Sequence, residues 1–236
     1  MPAQIHHGRV GDSSVLIPHT YPGRLIAAEG LDGSGKSTQL RLLQFWLQSE
    51  GYDVLIAEWT PSKLFNRALK AGKKEGHLDP MLLSILYAAD FAELYESEIV
   101  PALRHGIIVL IDRYVYTALA RDMARGVDRI WLETIYRFAA KPDLALYFRI
   151  NADQSLERIL RNIPRLKYYQ TGMDLGLSND PIVSFRAFQA RISHEYAQLI
   201  KQGGLLELDA TLPIRQQQQI LRAAVAPILP GEQIEE

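Results

Sequence analysis

Residues 30–37 read GLDGSGKS, which satisfies the spacing G-x-x-x-x-G-K-[ST] of a polyphosphate-binding loop, here called the phosphate loop. Its internal glycines allow backbone conformations that a side chain resists, so consecutive N–H groups can converge on an anion. The lysine is placed to reach the outer phosphates, and the last hydroxyl is placed to bind Mg²⁺. The spacing therefore predicts Mg-ATP as the bound cofactor. The predicted ATP-binding residues are Gly30, Gly33, Ser34, Gly35, Lys36, Ser37 and Thr38.

A second group with chemical potential directly follows an all-apolar run at residues 107–111. Asp112 is placed to share the magnesium shell with Ser37, because carboxylates at the carboxyl ends of parallel strands face the ligand in doubly wound sheets. Arg113 would then face the reacting phosphates. An Asp-Arg pair at a strand end is often only a surface ion pair, but its coupling to the phosphate loop favours the functional reading.

The rest of the chain alternates short apolar runs with segments of helical periodicity. This alternation predicts an α/β fold with a parallel sheet covered on both faces. Together with the phosphate loop, it indicates a P-loop NTPase three-layer sandwich. The predicted strands are residues 25–29, 53–58, 107–111, 143–149 and 205–208, and the predicted helices are residues 38–50, 80–104, 129–140, 153–161, 181–201 and from about 213. Four glutamines at 216–219 are predicted to form the solvent-exposed face of the last helix.

One domain of residues 24–229 is expected, between an irregular leader at 1–23 and a short tail at 230–236. Two segments do not fit the alternation: an acceptor-side insert at 62–78 and a lid at 162–180, both predicted to be mobile and to lie at the carboxyl edge of the sheet. His6 and His7, in the leader, are expected to be solvent-exposed and without a role.

The composition excludes several classes of partner. With 26 basic and 27 acidic side chains the net charge is -1, which gives no overall field to attract nucleic acid. The chain has no cysteine and no long apolar run, so neither a disulfide framework nor a membrane span is expected. We expect a cytoplasmic protein.

From about residue 24 to 225 the order of these motifs resembles the thymidylate kinase family of nucleoside monophosphate kinases. The resemblance is carried by the phosphate loop, by DRY at 112–114, by LLSILYAAD at 82–90, by KPDLALY at 141–147 and by LDAT at 208–211. It implies a five-stranded parallel sheet, a helical lid, a homodimer, and phosphorylation of a nucleoside monophosphate, dTMP above all.

The resemblance also implies roles for individual residues. Tyr87 matches the aromatic residue that stacks on the acceptor base, and Asp32 and Arg113 match residues of the acceptor sugar and phosphate. Phe91 stands where the family usually has an arginine on the base-binding helix. The implied substrate-binding residues are Asp32, Tyr87, Phe91, Arg113 and Thr117, and the residues implied beside the adenine of ATP are Asp209 and Thr211.

The family neutralises the transferring phosphoryl group with arginines either in the phosphate loop or in the lid. Here the phosphate loop has none, whereas the lid region offers Arg158, Arg161, Arg165 and Lys167. A planar guanidinium can bridge two phosphate oxygens, which suits charge stabilisation in the transition state. The predicted catalytic residues are Lys36, Asp32, Arg113, Arg161 and Arg165.

One departure keeps other functions open. After the second strand the family usually has Arg-Glu-Pro, but residues 59–61 read WTP, so an arginine for the acceptor phosphate is missing unless Lys63 or Arg67 replaces it. A deoxynucleoside kinase with Glu58 as general base would not need that arginine. A third reading is a P-loop protein that binds nucleotide as a switch or scaffold.

Overall fold

The computed structural model describes residues 16–75, 78–162 and 165–230, and its centre is a five-stranded parallel sheet in the order β3-β4-β2-β6-β7. The strands are β1 Ile17–Pro18, β2 Arg24–Gly30, β3 Val54–Glu58, β4 Ile108–Asp112, β5 Ala140–Lys141, β6 Leu144–Arg149 and β7 Leu206–Asp209. β1 and β5 form a separate two-stranded parallel pair. The predicted α/β fold with its five parallel strands is confirmed.

The middle of the sheet is apolar on both faces because helices cover both. Leu25 to Ala28 of β2 and Val109 to Ile111 of β4 have no solvent exposure, as expected for central parallel strands. In the β2–β4 register Ala28 is opposite Asp112, two residues before Gly30 begins the phosphate loop. The sheet therefore brings Asp112 and the phosphate loop to the same carboxyl edge.

Helices connect successive strands. They are α1 Lys36–Ser49, α2 Lys63–Glu75, α3 Pro80–Leu94, α4 Val100–Arg104, α5 Val115–Met123, α6 Arg129–Ile135, α7 Ala152–Asn162, α8 Pro181–Lys201 and α9 Ile214–Val225. A π-helical turn at Tyr95–Ile99 joins α3 to α4, so the predicted 80–104 helix is continuous. Asp79 caps α3 by accepting from the Leu82 N–H, and Asp180 caps α8 by accepting from the N–H groups of Ile182 and Val183.

Two predicted elements differ in the structure, and one observed helix was not predicted. The helix predicted at 129–140 ends at Ile135, because Ala140 and Lys141 pair with the β1 strand instead. The 62–78 insert contains α2, whose Leu69 packs against Leu78 and Leu83 in a small separate core. α5 was not predicted at all.

The described part of the lid is mostly irregular. Residues 165–180 contain a 3-10 helix at Met173–Leu175. Residues 1–15, with His6 and His7, and residues 231–236 lie outside the described part of the chain. Within the described ranges, no helix combines the length and apolar character needed to traverse a bilayer.

The glutamine run of α9 is only partly exposed, so the prediction that it forms a solvent-exposed face was wrong for two of its members. Gln217 and Gln218 are buried. The side-chain amide of Gln218 donates to the backbone and side-chain oxygens of Gln39 at 2.9 and 2.6 Å, and that of Gln217 donates to the Leu212 carbonyl at 2.7 Å. The Gln218 bonds join α9 to α1, and the Gln217 bond joins α9 to the loop before it.

Candidate active site

The phosphate loop adopts backbone conformations that require glycine. Gly30, Gly33 and Gly35 have φ values of 136°, 73° and 92°. At Gly30 a Cβ would lie 2.7 Å from the carbonyl oxygen of Phe148, so the neighbouring strand excludes any side chain. Gly35 precedes α1, whose N-terminus has no side-chain cap. Its first N–H groups are therefore available to an anion.

Lys36 is held over the phosphate loop with its ammonium group buried. Its Nζ donates to the carbonyl oxygens of Gly30 and Leu31 at 3.1 and 3.0 Å and to Ser34 Oγ at 3.3 Å. Burial, and then the nearby Arg113 charge, lowers the pKa of Lys36 to about 8, although neighbouring carboxylates oppose the shift. Lys36 therefore lies against the phosphate loop, and its contact with the outer phosphates of ATP stays a prediction.

Ser37 and Asp112, the two predicted magnesium ligands, are in direct contact. Ser37 Oγ donates to Oδ2 of Asp112 at 2.5 Å, whereas the buried Oδ1 of Asp112 has no hydrogen-bond partner in the described part of the chain. Hydroxyl and carboxylate oxygens are ligands that Mg²⁺ favours, so this donor set fits the ion. No group of three His, Cys, Asp or Glu among the described residues could hold a metal, so further ligands would come from water and phosphates.

Asp32 of the phosphate loop gathers three donors from distant parts of the chain. Its Oδ1 accepts from the guanidinium groups of Arg113 and Arg121, the latter at 3.0 Å, and its Oδ2 accepts from the Gln170 amide of the lid at 2.7 Å. Burial would raise the pKa of Asp32, but the two arginines and Lys36 hold it well below the usual range. Asp32 is therefore an ionised anchor for two cations.

Arg113 has a backbone conformation that favours glycine. Its φ of 74° is unique among the non-glycine residues that the structure describes, and its N–H donates to the Ala28 carbonyl at 3.0 Å. Backbone strain of this kind persists where the surroundings fix it, often at functional sites. Burial disfavours the Arg113 charge, yet Asp32 and Asp112 raise its pKa above the ordinary value. Its buried NH1 has no partner in the described chain and remains a donor for a ligand.

A cavity of about 840 Å³ begins at this cationic cluster. Its size is within the range of small-molecule sites. Asp32, Arg113 and Arg121 line one part of it, and an apolar part is lined by residues that include Trp59, Leu69, Leu83, Tyr87 and Ile192. The indole of Trp59 meets the Tyr87 ring edge-on at 6.2 Å between centroids. The cavity thus combines anion-binding groups with an aromatic wall.

Four of the five predicted substrate-binding residues line this cavity: Asp32, Tyr87, Arg113 and Thr117. Phe91 does not. It is fully buried and packs on the Trp59 ring at 4.6 Å between centroids, so the structure gives it a supporting place behind the wall. Phe91 was predicted to contact the substrate directly, but in the structure it supports Trp59 and does not line the cavity.

The predicted catalytic arginines of the lid region are not at the phosphate loop. The side chain of Arg161 is 71% exposed and pairs with Glu157 at 2.5 Å on the same helix, and Arg165 is exposed as well. Arg158, one turn earlier on α7, instead donates to the carbonyl oxygens of Gly33 at 3.3 Å and Ala210 at 3.1 Å. Arg158 therefore joins the phosphate loop to the loop after β7.

The two residues predicted to lie beside adenine are the last residue of β7, Asp209, and a residue of the following loop, Thr211. Asp209 Oδ1 accepts from the N–H and the hydroxyl of Thr211 at 2.9 and 2.7 Å, which lowers the pKa of Asp209. Arg149 donates to Asp209 at 3.0 Å. These contacts hold the start of the loop, where Thr211 is exposed to solvent.

The comparison with known proteins agrees with this geometry. The family model described as thymidylate kinase matches residues 28–220. The chain belongs to the thymidylate kinase family. It is 38% identical over 195 residues to the "Probable thymidylate kinase 2" of Saccharolobus solfataricus, covering 82% of this chain and 91% of that relative.

Two further thymidylate kinase relatives match a shorter part of the chain. The "Probable thymidylate kinase" of Thermococcus onnurineus is 42% identical over 143 residues, 57% of this chain and 70% of the relative. The "Thymidylate kinase" of Thermoanaerobacter sp. is 31% identical over 144 residues, 58% of this chain and 70% of the relative.

Three residues of this thymidylate kinase family site were missed by sequence reasoning. Arg121 lies one helical turn after Thr117, a spacing that could have indicated a shared face. No motif or residue spacing near Gln170 in the sequence indicated a role for it. Arg125 donates to Asp174 at 2.9 Å and to the Tyr169 carbonyl at 2.8 Å, and so attaches the lid to α5.

Proposed function

We propose that this protein is a nucleoside monophosphate kinase that uses Mg-ATP to convert dTMP to dTDP. The observation that carries the proposal is the convergence of Arg113 and Arg121 on Asp32, between the phosphate loop and the cavity. This arrangement supports two phosphate sites facing each other, one for a donor and one for an acceptor. Family membership supports the same reaction.

On the donor side, the N–H groups of the phosphate loop and the Lys36 ammonium would bind the β- and γ-phosphates. Ser37 and Asp112 would hold Mg²⁺, which neutralises phosphate charge when bound. Arg158, rather than Arg161 or Arg165, is then the lid-region arginine best placed to stabilise the transferring group, because it already contacts Gly33.

On the acceptor side, Arg113 and Arg121 would bind the 5′-phosphate. The attacking oxygen of a monophosphate is largely ionised near neutral pH, so alignment by two guanidinium groups suffices and no general base is required. Arg121 supplies the cation that residues 59–61 lack. Lys63 and Arg67, the replacements suggested by the sequence, are exposed and do not line the cavity.

The structure gives the deoxynucleoside kinase alternative less support. Glu58, its required base, is exposed at the end of β3 and is not among the cavity-lining residues. A nucleotide switch or scaffold is also less favoured, since a second cationic site beside the phosphate loop serves transfer and not simple ATP binding.

An ADP-release assay across nucleosides and nucleoside monophosphates tests the proposal. We expect dTMP to be the best substrate and thymidine to be inert. Phosphorylation of thymidine that is lost in Glu58→Gln would establish the deoxynucleoside kinase instead. Slow ATP hydrolysis that no acceptor stimulates would establish the switch.

We further propose a cytoplasmic homodimer that binds no nucleic acid. The absence of cysteine and the net charge of -1 support the location and the lack of a polyanionic partner. Met81, Leu82 and Ile85 of α3 are 40 to 42% exposed and support a contact between copies. Light scattering after size exclusion should give a dimer for the wild type and a monomer for Leu82→Glu.

A further inference from the structure

Asp122 is a buried carboxyl group in the wall of the cavity that the phosphate chemistry does not use. It is 4% exposed and follows Arg121 directly on α5. The two neighbours contact different elements: Arg121 contacts Asp32 of the phosphate loop, whereas Asp122 accepts from Ser84 Oγ of α3 at 2.6 Å. Two adjacent residues of α5 thus place a guanidinium group toward the phosphate loop and a carboxyl group in another part of the cavity wall.

The hydrogen-bonding capacity of Asp122 is not filled by its surroundings. A carboxylate can accept about four hydrogen bonds. In the described part of the chain, the Ser84 hydroxyl is the side-chain donor to Asp122. The two nearby arginines are committed elsewhere, Arg121 to Asp32 and Arg125 to Asp174 and the Tyr169 carbonyl. Asp122 therefore keeps acceptor capacity at a buried position in the cavity wall.

The electrostatic environment agrees with an under-bonded carboxylate. Burial raises the pKa of Asp122 to about 6, and Ser84, Arg125 and Arg121 oppose that shift. The group is thus ionised at neutral pH, at a cost that an additional donor would reduce. A ligand N–H is such a donor.

Asp122 lies beside the aromatic wall. Ser84 and Tyr87 are three residues apart on α3 and so share one helix face. Asp122 and Tyr87 both line the cavity, as does Trp59. A planar base packed on this wall would share the cavity with the carboxyl group that Ser84 orients.

We propose that Asp122 determines which base is accepted, and that its carboxylate accepts the ring N3–H of thymine. The inference rests on the proposed function, because it assumes a nucleoside monophosphate in the cavity. Thymine and uracil carry a hydrogen on N3. Cytosine has a lone pair there, which would face the carboxylate acceptor to acceptor, and a buried acceptor without a donor is disfavoured.

The first test removes the donor from the ligand. In N3-methyl-dTMP, a methyl group replaces the hydrogen on N3, so the ring has no donor for the carboxylate. For the wild type we expect kcat/KM to fall about tenfold to hundredfold with this analogue, the range of a hydrogen bond to a charged group. Asp122→Ala should lose a similar factor with dTMP and should not distinguish the two ligands. If Asp122→Ala still prefers dTMP by the wild-type factor, the proposal is wrong.

The second test looks for a gain that structural damage cannot produce. An amide can donate as well as accept, so Asp122→Asn can supply an N–H to N3 of cytosine. We expect the ratio of kcat/KM for dCMP to that for dTMP to rise about tenfold or more, the factor of one discriminating hydrogen bond. An unchanged ratio would contradict base reading by Asp122.

Controls separate the possible failures. Glu133→Gln removes one negative charge from the neighbouring helix α6, outside the cavity lining, and should keep the wild-type ratios. The KM for ATP reports whether each variant is folded. A wild type that phosphorylates no nucleoside monophosphate overturns the proposed function and the inference with it. A wild type that uses dTMP, with an Asp122→Ala variant of equal kcat/KM, overturns the inference alone.

Discussion

The guanidinium of Arg121 lies 3.0 Å from Oδ1 of Asp32, although the two residues are 89 positions apart in the chain. The same oxygen accepts from Arg113. The Asp32 carboxylate thereby holds two positively charged guanidinium groups close together at the cavity. Its single negative charge balances only one of them, so a second anion beside them would be stabilised. A ligand phosphate is the anion that the proposed reaction supplies.

We expect Arg113→Ala and Arg121→Ala each to raise the KM for dTMP about tenfold to hundredfold, because each removes a charge-assisted hydrogen bond to the acceptor phosphate. The KM for ATP should change much less. Steady-state kinetics with each substrate varied in turn measures both. Arg41→Ala, an exposed arginine on α1, is the matched control. An unchanged dTMP KM in both variants would remove these arginines from the acceptor site.

Lys36→Ala should lower kcat by at least about a hundredfold, since it removes the cation that reaches the outer phosphates of ATP. The fold should be retained, because Lys36 is the first residue of α1 and its ammonium group contacts the phosphate loop rather than the apolar core. A single-turnover assay measures the loss of phosphoryl transfer, and a circular dichroism spectrum shows whether the fold is retained. Turnover near the wild-type rate would contradict the assignment of the phosphate loop.

Arg158→Ala should lower kcat about tenfold or more while raising the KM for ATP less, because an arginine that acts on the transition state affects kcat first. Arg161→Ala should have a smaller effect, since Arg161 pairs with Glu157 at the surface. Arg165→Ala serves as a second comparison. If Arg161→Ala or Arg165→Ala is the more damaging change, the lid must bring that arginine to the phosphates during turnover.

Glu29 should make the free energy of unfolding depend on pH. It is fully buried, accepts hydrogen bonds from the Tyr114 N–H at 2.8 Å, Thr117 at 2.5 Å and Tyr196 at 2.9 Å, and burial raises its pKa from 4.5 to about 7. Between these values the folded state holds a proton that the unfolded state has released. The contribution of Glu29 to the free energy of unfolding is therefore greatest below pH 4.5, and it falls as the pH rises toward 7.

The expected loss from this group is on the order of 3 kcal/mol across that range. Chemical denaturation at several pH values measures it. Glu29→Gln should flatten the profile, because the hydroxyls of Thr117 and Tyr196 can turn to accept from the amide. A variant profile as steep as that of the wild type would assign the pH dependence to other groups.

The sequence by itself determined the parts of this protein that local patterns encode. Glycine spacing specified the phosphate loop, because only glycine tolerates the φ values at residues 30, 33 and 35. Apolar runs identified the strands of the sheet, and the position of Asp112 after such a run placed it beside Ser37. Family membership also followed from motifs that are contiguous in the chain.

Tertiary structure alone decided other contacts between polar residues. Gln170 reaches Asp32 across 138 positions, and Ser84 reaches Asp122 across 38, with no local signal for either contact. The end of α6 is likewise set by a strand pairing with Ile17. Side-chain polarity predicts exposure on average, but a buried polar group is stable only beside a partner, and that partner can come from anywhere in the chain.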